Sequence, residues 1–451
     1  MNTSFFGEML QTISERGRAL IDRARDRRGD AAARSESLVE LCDELLSGRG
    51  EASGVALARE ILARYDELKI GPHIAFFEAL ATRFGVDRER IDKAVEIWWQ
   101  ASSDEAAAEL HQAAEPRRQE LFRRLNLAPG GTAALVSMRE DLIDAMVHRD
   151  DLAAVDQDFV HLFSAWFNRG FLVLRRIDWS TPAIVLEKII RYEAVHQISD
   201  WDDLRRRIDP PDRRCYAFFH PALIDEPLIF VEVAFTGGIP GAIAPILDRN
   251  GDTLAPERAD TAVFYSISNC QRGLAGVSFG SFLIKQVVEE VSREFRRLST
   301  FVTLSPVPGF ANWLKRERAN DASLLTPEDR APLAALDAPG WWRQQETADR
   351  LREPVLRAAA TYFLGARAKS GGALDPVARF HLGNGARLER LDWLADLSEK
   401  GLAQSYGLMV NYLYDLADIE KNHEAYAENR TIVAASAIRK LARTPKELAR
   451  V

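Results

Sequence analysis

The chain has 451 residues, 47% apolar and 28% charged, with 59 Lys plus Arg against 67 Asp plus Glu for a formal net charge of −8. That length exceeds one ordinary domain and makes two the expectation, while the acidic balance argues against a global basic field for nucleic acid. No run of 18 or more apolar residues occurs, so no membrane span is expected, and Cys42, Cys215 and Cys270 form no CxxC pair that would indicate a disulfide framework or a zinc site.

In chain order, "MNTSFFGEMLQTISERGR" lacks the basic start and long apolar stretch of a secretory signal. At the other end, "KELARV" is no peroxisomal or retention tripeptide. Together with the cysteine usage, these features make a reducing cytoplasm the expected location. The arginine-dense stretch Glu15–Arg34 is interleaved with Asp22, Asp26 and Asp30 and reads as a solvated helix face. Helical patterns then follow one another. "SESLVELCDELL" opens with a capping box, Ser37 to Glu40, and sets Leu38, Leu41 and Leu45 on one side. "GVALAREILARYDEL" repeats the spacing, and "GPHIAFFEALATRFG" has Pro72 near its start and Gly85 at its stop. "RERIDKAVEIWWQA", "PRRQELFRRLNL", "LVSMREDLIDAM" and "DFVHLFSAWFNRGF" continue the series. The expectation is an all-α helical bundle over residues 1–175, serving in oligomerisation.

The texture changes near Trp179-Ser180-Thr181-Pro182. "RRCYAFFH", "PLIFVEVAF", "AVFYSIS" and "TFVTLS" are strand-like, and within the second of these runs "LIFVEVAF" alternates as a half-buried strand does. Helical patterns intervene at 181–194, 200–207, 280–298, from Thr326, at 341–368 and from Tyr406. Residues 176–451 are therefore expected to form a mixed α/β domain, making the whole chain an α+β two-domain protein.

Within this part, "YSISNCQRGLAGVSFGSFLIKQVVEEV" passes from strand to glycine-bearing turn to helix. Val263, Tyr265 and Ile267 are expected on one strand face, with Phe264, Ser266 and Ser268 on the other. The turn carries Gly273, Gly276 and Gly280, which let a ligand approach the peptide plane. The helix start leaves amides unpaired and carries partial positive charge. Strand, turn, helix and the next strand over Val263–Ser305 make a crossover unit with an anion cradle at the strand's carboxyl end. No GKS or GKT follows the turn and no GxGxxG is present. The spacing is nearer the Q/RxxGxG/A turn of acyl-CoA-dependent acetyltransferases. Gln271 and Gly276 match, whereas Leu274 stands where glycine is the rule.

Five segments together resemble malonyl-CoA decarboxylase: "YEAVHQISDWDDLRRR", "HPALIDEPLIFVEVAF", "FYSISNCQRGLAGVSFGSFLIK", "LSPVPGFANWL" and "FHLGNGARLERLDWLADLSEKGLAQSYGLMVNYLYDL". The resemblance implies a helical domain followed by a catalytic domain of the GNAT (acetyltransferase) fold. It implies conversion of malonyl-CoA to acetyl-CoA and CO2 without metal or organic cofactor, by homotetramers. It places the CoA-contacting turn on Ala275, Gly276, Val277, Ser278, Phe279, Gly280 and Ser281, the catalytic serine on Ser305, the catalytic histidine on His381, and a nearby tyrosine on Tyr414.

The residue types suit the chemistry. Loss of CO2 from a malonyl thioester leaves an enolate, which needs fixed donors at its oxygen and an acid at carbon 2. Histidine is the simplest acid near neutral pH, and His381, ahead of "LGNGA", is expected in a loop or at a strand end. Ser305 is expected to orient the carboxylate, since a tight ion pair there would favour the ground state. Tyr414 is expected as a secondary donor. From local sequence alone, Ser305 also reads as a turn closer and His381 as a structural histidine. Tyr412 and Tyr414 also read as core. The resemblance reverses the first two readings and leaves the tyrosines balanced. Cys270 borders the turn and reads as a small buried hydrophobe. Two rivals stay open, an acyl-CoA-dependent N-acyltransferase and a non-catalytic acyl-CoA sensor.

Overall fold

The structure, a computed structural model, describes residues 31–47, 51–68, 70–277, 283–320 and 323–442. The arginine-dense stretch as far as Asp30, both chain ends, and Ser278, Phe279, Gly280 and Ser281 lie outside the described residues. The chain divides into two compact units.

The first unit is helical because its apolar residues recur every three to four positions. In order it contains α1 (Ala31–Leu46), α2 (Glu51–Asp66), α3 (Ile70–Thr82), α4 (Arg88–Ala101), α5 (Asp104–Ala114), α6 (Arg117–Asn126), α7 (Gly131–Met146) and α8 (Ala153–Trp166). α1 packs on α2 and α3, burying Leu38, Leu41, Leu45, Leu57, Ile61, Phe76, Phe77 and Leu80. The expected capping box at Ser37 is not one. The helix already starts at Ala31, and the Ser37 hydroxyl accepts from the Arg64 guanidinium at 3.2 Å. The sequence pattern also passed over α5, whose buried residues are only Ala106 and Ala113. Two alanines make no visible stripe, and the signal that remains is its cap, Ser103, which accepts from the Ala106 amide.

A short piece beginning at Gln271 also belongs to this unit. A Cβ on Gly273 would stand 2.1 Å from the Val136 carbonyl oxygen of α7. The Gly273 amide donates to the Glu140 carboxylate at 3.1 Å, and its carbonyl accepts from Arg139 at 2.7 Å. Gly273 thus serves close packing on α7, where the sequence reading had it open the turn to a ligand. Gly276 keeps the expected property, with φ +78° and nothing within 4 Å of a Cβ built on it.

The second unit is built on a mixed sheet. Its strands are β1 (Val173–Ile177), β2 (Arg213–Phe219), β3 (Pro227–Thr236), β4 (Thr261–Asn269), β5 (Thr300–Thr303), β6 (Ser305–Pro306), β7 (Arg387–Asp392) and β8 (Met409–Leu413). They lie in the order β1-β2-β3-β4-β5-β8-β6, with β7 on β8. β4 and β5 are parallel, joined by helix α11 (Leu283–Glu294), and the other pairs are antiparallel. The expected α+β class and the crossover are both present. α11 holds itself to the unit by burying Leu283, Ile284, Val287, Val288 and Val291, each contributing ~2 kcal/mol.

β3 departs from the half-buried expectation, since every residue but Thr236 is buried. Helices α9 (Ala183–Tyr192) and α10 (Trp201–Ile208) supply the cover, with Val185, Leu186, Ile189, Leu204 and Ile208 packed against Cys215, Ala217, Phe230 and Cys270. Glu232, fully buried in β3, survives there by accepting from Arg207 of α10 at 2.6 Å. Burial nonetheless pushes its carboxyl up to about 7.

The β3–β4 register shifts between Glu232 and Val233, which pair with Ser266 and Phe264. Tyr265 is the extra residue of a β-bulge, so the strict alternation expected from Val263 to Ser268 fails. The stretch from Tyr406, expected to be helical, is strand β8. A helix at Glu399–Ser405 stops at Tyr406, whose φ of 56° is left-handed, and Gly407 follows at φ 80°.

Candidate active site

β5 ends at Thr303, and β6 takes up Ser305 after one intervening residue. Thr303 and Ser305 are two apart and so share a face of the extended chain. The link is held from both sides: the Leu304 amide donates to Phe264 of β4 at 3.1 Å, and Ser305 pairs with Val410 of β8. Asn411 of β8 donates its side-chain amide to the Thr303 carbonyl at 2.7 Å.

His381 comes from helix α14 (Pro376–Gly383), which follows α12 (Phe310–Ala319) and α13 (Gln345–Leu364) in the chain. Asp375 caps it, its carboxylate accepting from the Val377 and Ala378 amides and from the Tyr362 hydroxyl. Pro376 fits the first helical position because no amide is needed there. The histidine therefore sits in the last turn of a short helix, not in the loop or strand end expected. The cause is upstream in sequence: the cap and proline start a helix that reaches His381 before "GNG" ends it. Gly385 follows at φ 81°, and a Cβ there would lie 2.2 Å from the Ile419 carbonyl oxygen.

The structure brings Ser305, His381 and Tyr414 together. The Tyr414 hydroxyl lies 2.8 Å from His381 Nδ1, and His381 Nε2 lies 3.1 Å from Ser305 Oγ. Ser305 Oγ donates to Thr303 Oγ1 at 2.8 Å, and Thr303 Oγ1 also accepts from the Tyr412 amide at 3.2 Å. The Tyr412 ring stacks on the imidazole with centroids 4.5 Å apart. Because Ser305 gives its hydrogen to Thr303, its oxygen is left to accept from Nε2–H. Nδ1 is then an acceptor, and the Tyr414 hydroxyl donates to it. The chain of hydrogen bonds runs one way, from Tyr414 through His381 and Ser305 to Thr303.

All four groups are buried. Burial pushes the His381 imidazole down to about 3 and holds the Tyr414 phenol well above its ordinary range. The resting imidazole is neutral at physiological pH. Ser305 and His381 line a cavity of about 240 Å³, together with Phe264, Tyr265, Ile267 and Asn269 of β4 and Pro376, Val377 and Phe380 of α14. That space takes a short acyl unit and is too small for a nucleotide, since drug-sized ligands occupy roughly 300–1,000 Å³. The Tyr265 bulge lies on its wall, and bulges of this kind re-aim groups beside active sites.

The Tyr414 hydroxyl meets the back nitrogen of the imidazole, and Tyr414 is not among the residues that line the cavity. Sequence reasoning missed Thr303 and the stacking ring of Tyr412. The signal for Thr303 was present, because "TLS" in an extended segment puts both hydroxyls on one side. Of the expected CoA-contacting residues, Ala275 and Gly276 are exposed and Val277 is buried, just beyond the short turn Arg272–Leu274. Cys270 is buried in the apolar cluster under α9 and α10, as a small hydrophobe would be. Among the described residues, no group of three or more His, Cys, Asp or Glu side chains is placed to hold a metal ion.

Fold and site define an α+β protein in which a mixed sheet and a short helix hold a serine, an imidazole and a phenol in one buried hydrogen-bond chain beside an acyl-sized cavity. The chain belongs to the malonyl-CoA decarboxylase family. The family's C-terminal domain matches residues 170–450 and its N-terminal domain residues 84–167. The mitochondrial malonyl-CoA decarboxylase of Rattus norvegicus is 35% identical over 430 residues, covering 88% of this chain and 84% of that protein. The crystal structure of malonyl-CoA decarboxylase from Rhodopseudomonas palustris is similar at 62% identity and TM-score 0.87, over 90% of this chain and 99% of that one. The Agrobacterium vitis protein of the same name is similar at 55% identity and TM-score 0.85, with the same coverage, 90% and 99%.

Proposed function

We propose that the protein converts malonyl-CoA to acetyl-CoA and CO2. One observation carries the reading: in a member of this family, Ser305 and His381 meet at 3.1 Å on the wall of a cavity of acyl size. The malonyl tip enters the cavity with its carboxylate turned out of the thioester plane, oriented by Ser305. The carbon–carbon bond breaks, its electron pair passes to the thioester carbonyl, and CO2 leaves. The backbone at the Tyr265 bulge, on the cavity wall, is the proposed donor for the enolate oxygen. His381 then protonates carbon 2, with Tyr414 holding the ring in place. The thioester itself is the electron sink, so the reaction as proposed calls for no metal or organic cofactor.

The CoA moiety is assigned to the turn Ala275–Ser281. The exposed, positive-φ Gly276 supports this, since the peptide plane there is open to a phosphate. A homotetramer assembled through the helical unit, working in the cytoplasm, completes the proposal. Among the described residues, no helix is long and apolar enough to cross a membrane.

The deciding experiment supplies malonyl-CoA with no acceptor. Equimolar acetyl-CoA and CO2 are expected. A reaction that waits for an amine would make the protein an N-acyltransferase instead, and binding without turnover would make it a sensor.

A further inference from the structure

The groups around the His381 ring are all uncharged. Tyr412 faces it from β8 and Tyr414 from just beyond that strand, Ser305 and Thr303 from the β5–β6 segment, and Phe380 edge-on from its own helix. Across the cavity stand Phe264, Tyr265, Ile267 and Asn269 of β4. The carboxylate of α14, Asp375, is committed to two backbone amides and to Tyr362. In serine hydrolases a carboxylate stands behind the imidazole and stabilises the imidazolium; here that place is taken by the Tyr414 phenol. An imidazolium in the empty site would be a buried charge with no counter-ion, which is strongly disfavoured.

Resting on the decarboxylase reading, we infer that the malonyl carboxylate is itself the missing counter-ion, and that its binding brings one proton from solvent onto His381. An anion within a few ångströms favours the charged imidazole. Because the negative charge passes to the enolate that the same imidazolium protonates, the pair persists through the bond-breaking step, unlike a cation confined to the departing carboxylate. A phenol is the partner that permits the change, because its O–H donates to Nδ1 in the neutral state and its oxygen accepts from Nδ1–H in the charged one. The balance closes. One proton enters with the substrate. The carbon–carbon bond breaks towards the thioester carbonyl, neutral CO2 departs, and the enolate takes the Nε2 proton to form the methyl group. The ring returns neutral. The acid is thus armed only when the group to be expelled is present, and the product acetyl-CoA, lacking the carboxylate, does not arm it.

The test uses sulfoacetyl-CoA, whose sulfonate carries the charge but cannot leave as CO2. Titration calorimetry near neutral pH, in two buffers of different ionisation enthalpy, reads the proton count. Uptake of about one proton per site is expected with the sulfonate, none with acetyl-CoA, and none with the sulfonate in the His381→Gln variant. Three results would overturn the inference: binding of the sulfonate without uptake, equal uptake with acetyl-CoA, or failure of the sulfonate to compete with malonyl-CoA. Turnover of malonyl-CoA by the same preparation keeps the two claims apart. Turnover without sulfonate-linked uptake removes the proton coupling alone, whereas no turnover removes the decarboxylase reading.

Discussion

Thr303 controls where the Ser305 hydrogen points. Its Oγ1 holds both that hydrogen and the Tyr412 amide. Thr303→Val keeps the shape and removes the acceptor, leaving the serine hydroxyl to turn onto Nε2 and reverse the hydrogen-bond chain. A fall in kcat of ~10-fold or more is expected with little change in KM, and Thr303→Ser should restore it. A Thr303→Val enzyme with normal kcat would show that the direction of the chain is immaterial. His381→Ala removes the acid itself, and kcat should fall by ~10²-fold or more, measured as CO2 release.

At the level of elements, the charged pair between α10 and β3 has unequal partners. Glu232 lies in a site that already pushes its carboxyl up to about 7, so its neutral form is close at hand. Arg207 has no such escape, and its guanidinium also donates to the His196 carbonyl at 3.0 Å. Arg207→Met lets Glu232 take up a proton, so its cost in chemical unfolding near neutral pH should be the smaller one. Glu232→Gln leaves a buried guanidinium without a counter-charge and should cost more, about 3–5 kcal/mol. Equal losses would mean that the pair behaves as a symmetric salt bridge.

The elements also show what could be read from sequence. β2 to β5 were legible because aromatic and β-branched residues crowd into short runs there, and α11 because its stripe is unbroken. β7 and β8 were not. "RLERLD" alternates charge with leucine, and "GLMVNYLYDL" is apolar at both the helical and the extended period, so only the turn at Tyr406 and Gly407 separates helix from strand. The burial of both β3 faces was hidden because the helices that cover it come from residues 183–208, before the strand. Ser305 and His381 are 76 positions apart, and no periodicity links them. Their partnership was legible only through the family resemblance, while the way Tyr414 serves His381 required the fold.

For the whole molecule, histidines held neutral couple stability to pH. Burial pushes His196 down to about 4 and His381 down to about 3, from an ordinary value near 6.5. Their contribution is fully present above about pH 6.5, where neither state is charged. It is lost as pH falls below that, because the unfolded chain takes up protons that the folded one refuses. Each should add ~1.4 kcal/mol per pH unit to the slope between about pH 6 and pH 4. Buried carboxyls such as Glu232 titrate with opposite sign in an overlapping window, so the clean measurement is the difference between the native chain and His381→Gln. The variant's unfolding free energy should depend less on pH below 6.5. Parallel curves would mean that the imidazole titrates freely in the fold.

The three thiols have a practical corollary. Cys42 sits in the helical unit, Cys215 and Cys270 in the sheet unit, and all are reduced and shielded from water, with burial pushing each thiol up. An alkylating reagent should leave the native protein untouched, and modification should begin only as the backbone opens. Peptide mapping of a timed iodoacetamide pulse during mild heating then dates the opening of each unit separately, with Cys42 reporting on one and the other two on its neighbour in the chain. Prompt labelling at room temperature would reveal breathing motions that the packed interior does not suggest.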